Sequence, residues 1–256
     1  MPGISHLSLV PIRKEPAHRS EMVSQLLFGE CFEQLEQNGD WLNIRCAHDG
    51  YEGWIHQSQQ TTLTLPEFTE LKRGRPFLTF DLVQILINQN SIHSVLLGST
   101  LPWFWGNTCR IGSNSYVFDG NAHLPDLSGG SKTIIENAYM YLNAPYLWGG
   151  RSPFGVDCSG LSQMAFKLCG IYIKRDAWMQ AEQGSTVHLL DEAQSGDLAF
   201  FDNEEGAITH VGIITAKNKI IHASGCVRVD SIDHHGIFNN QTKKYTHNLR
   251  LIKRMV

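Results

Sequence analysis

Asp157-Cys158-Ser159-Gly160 heads a run in which Leu161, Met164, Ala165 and Leu168 recur at helical spacing, and Gly170 is placed to end it as a left-handed C-cap. Cys158 then falls in the first turn of a helix. Free backbone N–H groups and the positive end of the helix dipole converge there, favouring a thiolate and offering a donor to the oxyanion of a tetrahedral intermediate. A thiol attacks as thiolate, so this chemistry calls for a positive setting that lowers its pKa and for a base within hydrogen-bond reach. Two histidine-bearing segments follow that would supply the base, Thr209-His210-Val211-Gly212-Ile213 and Ile220-Ile221-His222-Ala223-Ser224-Gly225. Cys46 and Cys169 fit the plainer description of buried structural cysteines. The expectation is a cysteine hydrolase.

The segment around His210 alternates as a half-buried strand does, with Val211 and Ile213 on one face and His210, Gly212 and Ile214 on the other. A polar link, Ala216-Lys217-Asn218, leads to a second strand from Lys219 to Ser224, so a hairpin is expected. For the two histidines to share a face across antiparallel strands, the loop needs an odd number of residues. A loop made of Ala216, Lys217 and Asn218 pairs Thr215 with Lys219, Gly212 with His222 and His210 with Ser224, with Asn218 left-handed. His210 and His222 become diagonal neighbours, roughly 7 to 8 Å apart between backbones. In that register His210 takes the thiol proton and His222 fixes its tautomer and orientation, as a carboxylate or amide does in other triads. Small Gly212 leaves room beside the imidazole. His6, His18, His48, His93, His188 and His247 have no comparable company and receive no role.

Further motifs stand around these residues: Tyr146-Leu147-Trp148-Gly149-Gly150, Gly155-Val156 ahead of Asp157, Arg175-Asp176-Ala177 with Gln180, and Gly196-Asp197-Leu198-Ala199-Phe200-Phe201. In this order they resemble the NlpC/P60 family of cell-wall cysteine peptidases, over about half of the chain. The resemblance implies an α+β class with a papain-like catalytic domain, in which the cysteine helix packs against an antiparallel sheet carrying both histidines. It implies as substrate the γ-D-glutamyl to diamino acid bond of peptidoglycan stem peptides. Carried over by position, it makes Cys158 the nucleophile, His210 the base and His222 the orienting residue. The Tyr146 hydroxyl joins the Cys158 N–H as oxyanion donor, or else Tyr146 only packs. Asp157 and Ser159 line the substrate cleft, although Asp157 also suits a helix cap. Arg175 holds a substrate carboxylate or forms a structural ion pair.

In the front half, Gly39-Asp40-Trp41-Leu42-Asn43-Ile44-Arg45 and Asp49-Gly50-Tyr51-Glu52-Gly53-Trp54-Ile55 suggest short strands between Gly-containing turns, the pattern of a small β-barrel. These stretches, with Ser20 to Gln25 and Gly29-Glu30, resemble bacterial SH3-like modules. A weaker stretch from about Phe77 to Ala122, with Leu96-Leu97-Gly98-Ser99, Trp103-Phe104-Trp105 and Tyr116-Val117-Phe118, suggests a divergent second module. A charged link from Leu65 to Pro76 and a Gly/Ser stretch from Leu127 to Ser131 would mark the boundaries, giving domains 1–64, 65–126 and 127–256. In relatives with this order the first module helps select stem peptides with a free N-terminal L-alanine. An ammonium group calls for carboxylates and an aromatic face, and position nominates Glu21, Tyr51 and Asp157. The plainer roles are a solvated charge for Glu21 and barrel packing for Tyr51.

With 256 residues the chain can carry two or three small domains, and its net charge of -4 argues against nucleic acid or an anionic membrane as main partner. No positive-then-apolar leader and no apolar run near the ~20 residues of a membrane span is visible, so a cytoplasmic location and recycling of small muropeptides are expected. The six cysteines lack paired spacing, so neither a disulfide framework nor a zinc site is indicated, and no cofactor is expected. Asp233-His234-His235 lacks further ligands at zinc-site spacing. Three functions stay open at this stage: the endopeptidase, an amidase or acyltransferase using the same triad, and a wall-fragment binding protein with a vestigial site.

Overall fold

Alternating apolar residues build the front half. The computed structural model describes residues 1–89, 91–126 and 130–256. It divides into two compact units, Met1–Pro125 and Asp126–Val256. The first begins with β1 (Pro2–Ile4), β2 (Leu9–Arg13), β3 (Met22–Leu27), β4 (Cys31–Asn38), β5 (Trp41–Cys46), β6 (Glu52–His56) and β7 (Thr61–Thr62). They form one antiparallel sheet in the order β3-β2-β6-β5-β4-β1-β7. Val10, Ile12, Leu42, Ile44 and Ile55 pack on its inner face, as the alternation requires.

The stretch expected to be a charged link is instead a helix, α1 (Leu65–Arg73). Thr64 caps it, exchanging hydrogen bonds with Glu67 in a capping box, and Pro66 occupies the first turn. Phe68 anchors the helix in a core that holds Ile4, Phe28 and Leu63 from one side and Leu86, Val95 and Phe118 from the other. Burying such a side chain is worth about 1.5–3 kcal/mol. Residues on both sides of position 65 therefore share one core. The remaining strands are β8 (Phe77–Thr79), β9 (Val83–Asn88), β10 (Ser91–Leu96), β11 (Thr100–Leu101), β12 (Thr108–Ile111), β13 (Asn114–Phe118) and β14 (Ala122–His123). They divide between a four-stranded sheet, β10-β9-β13-β12, and a three-stranded one, β11-β8-β14. Of the Gly/Ser stretch expected as the next boundary, residues 127–129 lie outside the described residues, while Gly130 and Ser131 open α2 (Gly130–Tyr139).

The second unit continues with the two-residue strands β15 (Arg151–Ser152) and β16 (Gly155–Val156), the helices α3 (Cys158–Lys167) and α4 (Ala177–Ala181), and β17 (Ser185–Val187). Six further strands follow: β18 (Leu198–Asp202), β19 (Ile208–Ala216), β20 (Lys219–Ser224), β21 (Cys226–Asp233), β22 (Gly236–Asn239) and β23 (Lys244–Arg254). Each pairs antiparallel with the next, and β23 pairs with both β22 and β18, so the six close into a barrel with β17 added at the far end of β23. Closure needs sharp bends, and β-bulges supply them at Phe200/Phe201, Phe201/Asp202, Ile214/Ala216 and Ile237/Phe238. Ala199, Phe201, Ile214, Ile220, Ile237 and Ile252 fill one apolar cluster of this sheet. Among the described residues no helix is long and apolar enough to cross a membrane.

Candidate active site

Asp157 starts α3 as its N-cap, with extended backbone and a carboxylate that accepts the Gly160 N–H at 2.6 Å. Leu161, Met164, Ala165 and Leu168 are fully buried, and Gly170 is left-handed, so the helix is where its spacing predicts. It is not amphipathic, however: all ten of its residues are buried. Two of its polar side chains bond within the unit, Ser162 Oγ donating to Gln180 Oε1 at 2.7 Å and Gln163 Nε2 to the Ile173 carbonyl at 3.2 Å. A side chain at Gly160 would run into the Gly150 carbonyl, which accounts for small residues in both motifs.

The Asp157 carboxylate is committed within the fold. Besides Gly160 it accepts the Gly149 N–H at 2.8 Å and both Arg175 guanidinium nitrogens, at 3.0 and 2.7 Å. Arg175 is 1% exposed and also donates to Ser159 Oγ at 2.9 Å. The structure thus places Arg175 in the ion pair left open above, and Asp157 and Ser159 in one buried network that braces the start of the cysteine helix. Removing one partner of such a pair costs about 3–5 kcal/mol, because it strands a buried charge. In the other unit, Glu21 is exposed and 3.5 Å from Lys14, and Tyr51 is half-buried against the sheet core.

The hairpin carries the histidines in nearly the expected register. Gly212 pairs with His222, but a bulge at Thr215 lets Ala216 pair with Lys219, leaving Lys217 and Asn218 as the loop, with Asn218 left-handed at φ 59°. On the β18 side His210 pairs with Phe201, and the β19–β20 ladder runs from the expected Gly212–His222 pair. The two imidazoles still share a face: His210 Nε2 and His222 Nδ1 are 2.9 Å apart. A side chain at Gly212 would press on the His222 Cβ at 3.0 Å.

Two groups that motif-matching missed complete the line. His222 Nε2 is 3.2 Å from Asp230 Oδ2, and Arg228 grips both oxygens of Asp230 at 2.7 and 3.1 Å. Burial raises the Asp230 pKa, but hydrogen bonds from His222 and Arg228 outweigh it and hold the carboxyl below its usual 3.8. An ionised carboxylate only accepts, so His222 donates from Nε2 and accepts at Nδ1. His210 must then donate from Nε2, which leaves its Nδ1 lone pair as the base. The available signal was the placement of Arg228 and Asp230 two apart on β21, with Arg228 directly opposite His222.

α3 packs against β19 and β20, and the Cys158 sulfur is drawn to β19 by the Val211 N–H, next in sequence to His210. The thiol meets burial as well as the positive start of its helix. Cys158 is 7% exposed, and burial, followed by the Asp157 charge, pushes its pKa up to about 12 against the Val211 and Ser159 N–H groups and Arg175. His210 moves the other way: burial first, then His247 and His222, hold its pKa well below 6.5. Burial thus works against the charged form of both groups. Tyr146 is 36% exposed, its hydroxyl pushed up to about 12 by burial and then by the Cys158 and Asp157 charges, so it stays an O–H donor.

His247 of β23 is the third imidazole of the cluster. Its ring lies 4.0 Å from that of His210 at an interplanar angle of 22°. Ligand atoms of His210, His222 and His247 lie within 4.8 Å of one another. Near-parallel rings do not converge on one ion about 2.0–2.1 Å from both nitrogens, and His222 Nδ1 is already engaged, so this is a stack and not a metal cage.

A helix-borne thiol held against the strand that carries an oriented imidazole, in a closed antiparallel barrel, is the arrangement of a papain-like cysteine peptidase. Residues 143–248 match the NlpC/P60 family, and residues 12–59 match the bacterial dipeptidyl-peptidase Sh3 domain. The chain is 31% identical over 223 residues to gamma-D-glutamyl-L-lysine dipeptidyl-peptidase of Bacillus subtilis (strain 168), covering 78% of this chain and 71% of that relative. Dipeptidyl-peptidase 6 of Lysinibacillus sphaericus is 28% identical over 247 residues, with 86% and 87% covered. In fold, it resembles the crystal structure of an NlpC/P60 family protein from Bacillus cereus ATCC 10987, with TM-score 0.82 over 100% of this chain and 99% of that one at 21% identity. The chain belongs to the NlpC/P60 family of cysteine peptidases, with an SH3-like region ahead of the catalytic unit.

Proposed function

We propose that this peptidase cleaves the γ-D-glutamyl to diamino acid bond of peptidoglycan stem peptides bearing a free N-terminal L-alanine, and serves recycling of small muropeptides in the cytoplasm. The activity named for the Bacillus subtilis relative, a gamma-D-glutamyl-L-lysine dipeptidyl-peptidase, supports the bond. The observation that carries the chemistry is the line Arg228–Asp230–His222–His210, which leaves His210 Nδ1 as the base for a thiol held against β19. As the Cys158 sulfur attacks the carbonyl, its proton passes to His210, and the oxyanion is held by the Cys158 N–H and the Tyr146 hydroxyl. His210 then protonates the departing amine, and water cleaves the thioester. Glu21 and Tyr51 are the residues proposed for the free amine. Asp157 gives them no ready help, since Gly149, Gly160 and Arg175 already occupy its oxygens.

The test is mass spectrometry of L-Ala-γ-D-Glu-diaminopimelate and its L-lysine counterpart, each free and N-acetylated, incubated with wild-type and Cys158→Ala protein. Release of the diamino acid by wild type alone, and only from free-amine peptides, is the expected outcome. Cleavage of acetylated and free peptides alike would remove the free-amine requirement, and no cleavage of any would remove the substrate assignment.

A further inference from the structure

His222 fixes His210 at one ring nitrogen, but one hydrogen bond leaves the ring free to tilt about it. Three aromatic neighbours limit that freedom. His222 meets the His210 ring edge-on at 5.1 Å and 87°, Phe201 lies tilted at 5.8 Å, and His247 lies flat against it at 4.0 Å and 22°. Only the last covers a face of the ring. His247 is itself held, with Nδ1 2.9 Å from the Thr246 hydroxyl and Phe201 edge-on at 5.9 Å.

A bulge in β23 brings it there. Phe200 pairs with Leu251 and Phe201 with Leu249, so Arg250 is the extra residue. One extra residue moves every following side chain to the opposite face, and it turns Leu249 and His247 toward the side of the sheet that Phe201 and His210 share. Leu249 packs against the apolar cluster of that face. Without the bulge His247 would point away from the base.

We propose that His247 is a positioning residue of the peptidase, a plate stacked on His210 that keeps the ring plane of the base aligned. It acts through His210 and touches neither substrate nor thiol. Neutrality matters to this role, because a cation on the ring face would oppose the imidazolium that His210 must become. Burial, followed by His222, outweighs the pull of Asp230 and lowers the His247 pKa to about 4, so it is uncharged at neutral pH. The other titratable groups around His210 are His222 on β20, Asp230 with Arg228 on β21, Asp202 on β18 with Arg250 of β23, and Cys158 beside the Asp157–Arg175 pair. α2 keeps its charges, Lys132 and Glu136, as an exposed pair, and α4 has none.

The inference rests on His210 being the base but not on the substrate. Its test therefore includes the alkylation rate of Cys158 by chloroacetamide, followed by mass spectrometry of its peptide between about pH 4 and 9. His247→Ala is expected to lower the neutral-pH alkylation rate and, on the cleaved peptide, kcat by about 10- to 100-fold with KM within about twofold. Its acid limb should move up toward pH 6.5 as water reaches His210. His247→Phe keeps a flat ring without a titratable nitrogen and should restore most of the rate. A His247→Phe variant as slow as His247→Ala, or a His247→Ala variant with wild-type rates and acid limb, would overturn the proposal. Should the alanine variant fail to fold, a folded phenylalanine variant with at least a tenfold lower alkylation rate would overturn it alone.

Discussion

Two of the molecule's clusters of histidine rings differ in what surrounds them. In the first unit His18, Trp41 and His56 meet at 4.9 to 5.6 Å, with the two imidazoles stacked at 24°. In the second, His210, His222 and His247 meet at 4.0 to 5.7 Å. Proximity and stacking are common to both. The first cluster lies at the surface, His18 exposed and His56 bonded to the hydroxyl of its neighbour Ser58. The second is tied to a buried carboxylate through a directed line of hydrogen bonds. An imidazole becomes a base for one partner when its other nitrogen is committed, and the anchor does that, not the neighbouring ring.

The sharpest contrast comes from truncating one ring in each cluster. His210→Ala should cut kcat/KM by about 10³-fold or more, while His18→Ala should leave it unchanged, as steady-state kinetics on the cleaved peptide would show. A comparable loss from both would erase the distinction. Next in size is Asp230→Asn. Arg228 would hold the amide oxygen and turn the NH₂ toward His222, reversing the donors along the line and putting a proton on His210 Nδ1. A loss of about 10²-fold in kcat is expected, with Asp230→Glu recovering part of it, and an unchanged rate would show that the carboxylate anchors nothing.

The smallest effect concerns stability. His210 and His247 bind protons less readily when folded than unfolded, so the stability tied to their neutrality is complete above about pH 6.5 and is lost as pH falls toward 4. Melting temperature should drop across that window, and His247→Phe should flatten the drop. Calorimetry between these limits decides it.

Much of this was legible in the chain itself. Asp157-Cys158-Ser159-Gly160 announced a capped helix, and loop parity brought Gly212 opposite His222 even though the loop proved one residue shorter than expected. What escaped were one-residue events. The bulge at Thr215 repaired the register, and the bulge at Arg250 decided which way His247 points, and neither leaves a mark in an alternating pattern. The helix after Thr64 escaped for another reason: its capping box and proline were visible, but its charged surface resembled a linker, and only the shared core around Phe68 reveals its purpose. The burial of the thiol was hidden because it depends on neighbours distant in sequence.

Barrel closure has a consequence for how the peptidase comes into being. β23 must find β18, some fifty residues back, as well as its near neighbour β22, and contacts so far apart in sequence form slowly because chain entropy is spent before they reward it. The last strand to close the ring also delivers His247 to the ring of His210. A chain still emerging from its ribosome, or one stalled with the ring open, carries its nucleophile without a steadied partner. On the role proposed for His247, proteolytic competence would wait on completion of the fold.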